Sequence, residues 1–139
     1  MNRASHPEVT QLRLVVEAED FDAAVAFYRD TLGLVEEFNI TSDGGAHVVA
    51  LQVGRATLEL VNPAQRRLID TLEVGREVSG TFRVAFEVTD VRAATDDAVA
   101  AGAELIAEPT ETPWHSLNSR LEAPAGLQIT LFEELDHEL

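Results

Sequence analysis

The chain has no cysteine among its 139 residues, which excludes a disulfide framework, a thiolate nucleophile and any zinc site built on sulfur. Any metal would have to be held by His, Asp or Glu. Positive charge is scarce as well: 10 Lys plus Arg stand against 25 Asp plus Glu, a formal net charge of -15 at pH 7. Phosphate backbones and anionic membranes are held by clustered Lys and Arg, so neither nucleic acid nor a membrane surface is an expected partner. Acidity otherwise serves solubility, and no substrate follows from it. No apolar run approaches the roughly 20 residues that cross a bilayer. The stretch from Met1 to Thr10 has no hydrophobic core behind Arg3, so no secretory leader is expected and the expected location is cytoplasmic. No Ser-His-Asp ordering or glycine-flanked nucleophile elbow is present, which leaves nucleophilic catalysis without support and the catalytic residues, if any, unknown.

What is present is enough apolar material for a core, 45% of a chain of common single-domain length, and an internal repeat that organises it. Gln11-Leu12-Arg13-Leu14-Val15-Val16 overlays Thr81-Phe82-Arg83-Val84-Ala85-Phe86. In each copy strand-like alternation runs into an Asp, Asp20 or Asp90, one residue before an apolar position, where it is placed to cap a helix. The stretches Phe21 to Leu32 and Val91 to Ala101 then carry apolar residues at three- and four-residue spacing and stop at Gly33 and Gly102. Behind the first helix come Val35 to Thr41, Ala46 to Val53 and Ala56 to Val61. Behind the second come Ala103 to Ala107, Ser116 to Leu121 and Leu127 to Phe132, the last two joined by the turn Ala123-Pro124-Ala125-Gly126. Each half reads β-α-β-β-β: module one spans about residues 11–62 and module two about 81–134 of a single domain. The connector at about 63–80 shows a short helical pattern around Leu68, Ile69 and Leu72, one turn or two. So long a period fits a duplicated supersecondary unit rather than a solenoid.

Alternation within the strands separates an apolar face from a mixed one. Leu12, Leu14 and Val16, Leu58 and Leu60, Val84, Phe86 and Val88, and Leu127, Ile129 and Leu131 are assigned to the helices. The opposite faces carry Gln11, Arg13 and Val15, Thr57, Glu59 and Val61, Arg83, Ala85 and Glu87, and Gln128, Thr130 and Phe132. Asn118 and Arg120 alternate with Leu117, Ser119 and Leu121 and can join that set. Periodicity alone favours these polar residues facing water.

The segment Ala18 to Leu34, with its Asp20, Phe27-Tyr28 and Leu32-Gly33, resembles the first helix of the vicinal oxygen chelate superfamily, which includes glyoxalases, bleomycin-resistance proteins and extradiol dioxygenases. The resemblance extends through Ala56 to Leu60, Arg83 to Asp90, Ala101 to Ala103 and Glu122 to Leu127. It implies an α+β fold in which two fused βαβββ modules form a curved eight-stranded cup around a small-molecule site, arranged as two four-stranded sheets each backed by one helix. It also implies a homodimer. Members place metal ligands on the first and last strand of each module, positions that fall here on Arg13, Glu59, Arg83 and Thr130. Only Glu59 is an ordinary ligand, because arginine has no free lone pair and does not lose its charge in a protein. The resemblance also puts Trp114 and His115 at the pocket rim. His47 is expected to be a hydrogen-bonded structural histidine, His6 and His137 solvated residues near the termini, and Phe27 and Tyr28 helix-packing residues.

The expected ligand-binding set is therefore Arg13, Glu59, Arg83, Thr130, Trp114 and His115, with no metal and no other cofactor. The two arginines are expected to replace the metal's positive charge with Glu59 between them. Three functions compete. A binding protein holds a small organic molecule without metal; an enzyme of the same fold, a lyase, isomerase or dioxygenase, uses a divalent metal involving Glu59; a module that has lost its site serves a partner. The missing ligands favour the first.

Overall fold

The structure is a computed structural model that describes residues 7–31, 33–123 and 126–135. His6, His137, Leu32 and the Pro124-Ala125 pair of the closing turn lie outside the described residues, as does the side chain of Phe27. Strand β1 (Val9–Glu17) leads into helix α1 (Phe21–Val25), which continues as a widened π-helical segment (Ala26–Thr31). Three strands follow, β2 (Val35–Thr41), β3 (His47–Val53) and β4 (Ala56–Val61), and then helix α2 (Pro63–Glu73). The order repeats with β5 (Phe82–Val88), α3 (Val91–Ala100), β6 (Glu104–Glu111), β7 (Ser116–Ala123) and β8 (Leu127–Glu134). The Asp20 and Asp90 side chains cap their helices as expected, accepting from the Ala23 and Ala93 amides.

The eight strands form one sheet in the order β2-β3-β4-β1-β5-β8-β7-β6. The two four-stranded halves expected to face one cavity are continuous in a single sheet. The first strands of the two modules pair antiparallel, with Leu14 opposite Val84, so the backbone hydrogen bonds that would otherwise leave two inner edges open fuse the halves. Within each module the first strand runs parallel to the last, β1 to β4 and β5 to β8. The registers agree: Val15 faces Glu59, and Ala85 faces Thr130. Arg13 and Glu59 are therefore related as Arg83 and Thr130 are, two residues out of register in each module.

Most of the apolar face goes where alternation assigns it, although Leu12 is exposed. Phe21 and Val25 of α1 pack with Val49, Leu51 and Leu60, and Val91 of α3 packs with Val88, Leu121, Ile129 and Leu131. Helices α1 and α3 thus occupy the outer side of the sheet, and the mixed faces are left to line its inner side.

The connector differs from expectation. It holds an 11-residue helix rather than one turn or two. Asn62 caps it by accepting from the Gln65 amide at 2.8 Å, and its own amide group donates to the Gly45 carbonyl. Such a cap contributes about 1 kcal/mol, and Pro63 begins the helix at the position where a missing N–H is harmless. Helix α2 lies across the inner side, packing against β3 and β4 of module one and β6 and β7 of module two.

Candidate functional site

Between the inner side of the sheet and α2 lies a cavity of about 530 Å3, within the range of small-molecule sites. Arg13, Glu59, Arg83 and Thr130 all line it, as does Trp114 at the mouth, 46% exposed. His115 does not line it. The ring stands beside Glu111 with 61% of its side chain exposed, on a left-handed backbone with φ of 65°. His47 also lies elsewhere: it packs on the Phe21 ring at 4.5 Å and its Nε2 bonds Asn39 at 2.6 Å, a structural role.

The two arginines have different surroundings. Arg13 donates through Nη1 to Glu59 at 3.3 Å and through Nε to Gln11 at 2.9 Å. Its guanidinium stands over the rings of Phe38 and Phe132, 5.7 and 5.3 Å from their centres, close enough for cation–π attraction. Arg13 is therefore matched in charge and packed as part of the wall. Arg83, 8% exposed, donates through Nη1 to the Thr130 hydroxyl at 2.8 Å. It pairs with no carboxylate within ion-pair distance among the described residues, and its Nε and Nη2 have no partner among them. The bridge of two arginines around Glu59 is thus only half formed. Burial first, and the charge of Arg120 second, push the Arg83 pKa below the ordinary arginine value. A second void bordered by Arg83 is about 10 Å3, room for a single water.

A second charged group was legible only in part. Arg120, fully buried on β7, donates to Asp70 at 3.0 Å and to Glu73 at 2.7 Å, both on α2. Glu73 also accepts from Asn118 at 2.8 Å. Asp70 accepts from the Ser79 hydroxyl at 2.6 Å and from the Val78 and Ser79 amides. Burial alone would raise the Asp70 carboxyl, but the bonds from Ser79, Val78 and Arg120 outweigh it and hold the pKa below the usual carboxylate range. This cluster ties the connector helix to module two and makes α2 a wall of the cavity, with Gln65, Leu68, Ile69 and Glu73 facing in.

The donor set at the four superfamily positions does not fit a divalent cation. Two guanidiniums offer no lone pair and repel one, Thr130 supplies a neutral hydroxyl already bonded to Arg83, and Glu59 is paired with Arg13. Among the described residues no three His, Asp or Glu side chains converge as a metal cluster.

Comparison with known proteins agrees with this architecture. The family model described as "Glyoxalase/Bleomycin resistance protein/Dioxygenase superfamily" matches residues 10–131. No curated protein matches. Among solved structures, a hypothetical protein from Bacillus halodurans is 14% identical with a TM-score of 0.69, over 96% of this chain and 98% of its own. Methylmalonyl-CoA epimerase from Mycobacterium tuberculosis is 21% identical with a TM-score of 0.66, over 91% of this chain and 89% of its own. A Streptomyces coelicolor methylmalonyl-CoA epimerase in complex with 2-nitronate-propionyl-CoA is 22% identical with a TM-score of 0.66, over 91% and 99%. At these identities the likeness speaks for the fold.

Proposed function

This chain belongs to the glyoxalase/bleomycin resistance protein/dioxygenase superfamily, and from that premise we propose that it binds a small organic anion in its cup without the superfamily's metal. The observation that carries the reading is Arg83: a buried cation, lacking a paired carboxylate among the described residues, on a cavity wall. A buried charge without a partner is unfavourable, so a ligand oxygen that supplies one gains more there than in water. Part of the lining suits an apolar body, with Phe38, Ile40, Val48, Leu68 and Phe132 around the space. Trp114 at the mouth is the chain's single tryptophan, which gives binding an optical signal.

The test is titration with arene and alkyl carboxylates beside their neutral amides, followed by Trp114 emission and calorimetry, with elemental analysis of the purified protein. The acids are expected to bind and shift the emission, the amides to bind at least tenfold more weakly, as for loss of a charge-assisted bond. Equal binding of acid and amide overturns the reading. A second reading, a metal-dependent lyase, isomerase or dioxygenase, is kept because the solved neighbours include epimerases. A stoichiometric divalent metal bound through Glu59 would establish it over the first.

The reading includes a homodimer in the cytoplasm. Strands β2 and β6 end the sheet with open edges, and Val9, Val35 and Phe82 are exposed apolar side chains; both features favour burial against a second copy. Light scattering at micromolar concentration is expected to give twice the chain mass. A monomer there counts against the dimer and leaves the ligand reading untouched.

A further inference from the structure

We propose that the ligand is a monocarboxylic acid, read by the free edge of Arg83 together with the side-chain amide of Gln65 on α2. The inference rests on the anion-binding reading above and names its chemistry. Thr130 engages only Nη1 of Arg83, which leaves Nε–H and Nη2–H side by side. That edge is a fork with the spacing of the two oxygens of one carboxylate. Thr130 also fixes the fork's orientation, so little side-chain freedom remains to be lost on binding.

Gln65 is the second, independent observation. It is 7% exposed and lines the same cavity. Its Oε1 is sealed off without a hydrogen-bond partner, and its Nε2 has none among the described residues either. Nε2 is not among the sealed, unpartnered atoms, and the residue borders the cavity. A buried amide left unpaired costs free energy unless something bonds it. The carboxylate on Arg83 has lone pairs beyond the two the fork uses, and the Gln65 amide is a donor on the opposite wall that can take one of them. Sheet and connector helix would then hold one anionic group from two sides.

The remaining charges limit the ligand to one carboxylate. Glu59, Glu73 and Glu134 also line the cavity; Glu59 pairs with Arg13, and Glu73 shares Arg120 with Asp70, so Arg83 is the lining cation without a carboxylate at ion-pair distance among the described residues. A second anionic group on the ligand would face glutamates and the rings of Phe38 and Phe132.

The experiment compares four probes of one shape: 3-phenylpropionate, 2-phenylethanesulfonate, benzylsuccinate and neutral 3-phenylpropionamide. They are titrated into the wild type, Gln65→Leu and Arg83→Lys, each checked for folding by circular dichroism. The wild type is expected to prefer 3-phenylpropionate to the sulfonate and to the dianion by about tenfold, the effect of one charge-assisted hydrogen bond. Gln65→Leu is expected to weaken 3-phenylpropionate by about tenfold, and Arg83→Lys, which keeps the charge but loses the fork, to erase the preference over sulfonate. Failure of every anion to bind the wild type overturns the function reading itself. Anions that bind without ranking, or with affinities unchanged by Gln65→Leu, overturn the carboxylate site and leave the function reading standing.

Discussion

Arg120→Met should lower the free energy of unfolding by about 3–5 kcal/mol, the usual consequence of removing one partner from a buried ion pair. The side chain is wholly enclosed and contacts two carboxylates, Asp70 and Glu73, that are themselves buried. Removing it leaves Glu73 without an ion-pair partner and Asp70 with only Arg66, at 4.0 Å, and the domain's whole stability is only about 5–15 kcal/mol. Urea unfolding followed by circular dichroism measures the loss. Adding Asp70→Asn and Glu73→Gln to Arg120→Met should recover a large part, since the charges that lost their partner are then gone. A loss under about 1 kcal/mol would mean that the cluster is solvated and does not anchor α2. The same cluster sets an acid limit. The folded-state pKa of Asp70 lies below its unfolded value near 4, so its contribution is present above about pH 4 and fades as pH falls through the depressed folded value. The connector should be among the first elements to loosen in acid.

Why this anchor was hard to see in the sequence follows from its composition. Most of the fold was legible because it obeys simple periods: alternation in β1, β4, β5 and β8 sorted the helix-facing residues from the inward ones, and Asp20 and Asp90 marked the helix starts. Helix α2 inverts the usual pattern. Beside Ile69, the face it buries carries Gln65, Asp70 and Glu73, residues that read as solvent-facing in isolation. Only Asn62-Pro63, a cap followed by a first-turn proline, announced a full helix. Arg120 was placed on the inner face by alternation with Leu121, yet its partners lie 50 and 47 residues away in the chain, a distance no local pattern spans. The fusion of the modules into one sheet rests likewise on long-range pairing of β1 with β5. At the site itself, alternation puts Arg13, Glu59, Arg83 and Thr130 on the mixed faces of their strands, and all four line the cavity. What it could not show is the unequal sharing of Glu59, which arises because Glu59 lies within reach of Arg13 in its own module while the equivalent position opposite Arg83 is a threonine.

That inequality decides what Arg83→Leu should do: affinity for 3-phenylpropionate falls by about 2 kcal/mol or more, roughly thirtyfold, while stability holds or rises. The two halves of the expectation have one cause. A buried guanidinium with a single neutral hydroxyl partner destabilises the empty protein, as the downward push on its pKa by burial and by Arg120 reflects. Leucine removes that penalty, fills much of the volume and leaves Thr130 with only a hydroxyl to satisfy. The ligand, in contrast, loses the cation it neutralises. Arg13→Leu provides the contrast in stability. Its removal strands Glu59 and takes the guanidinium from between Phe38 and Phe132, so stability should fall, and an acid should bind more weakly because the new neighbour charge is negative. Urea unfolding and calorimetry on the same preparations separate the cases. If Arg83→Leu unfolds at lower urea and binds 3-phenylpropionate as the wild type does, then Arg83 is a structural residue closing the cup, and the anion is held elsewhere.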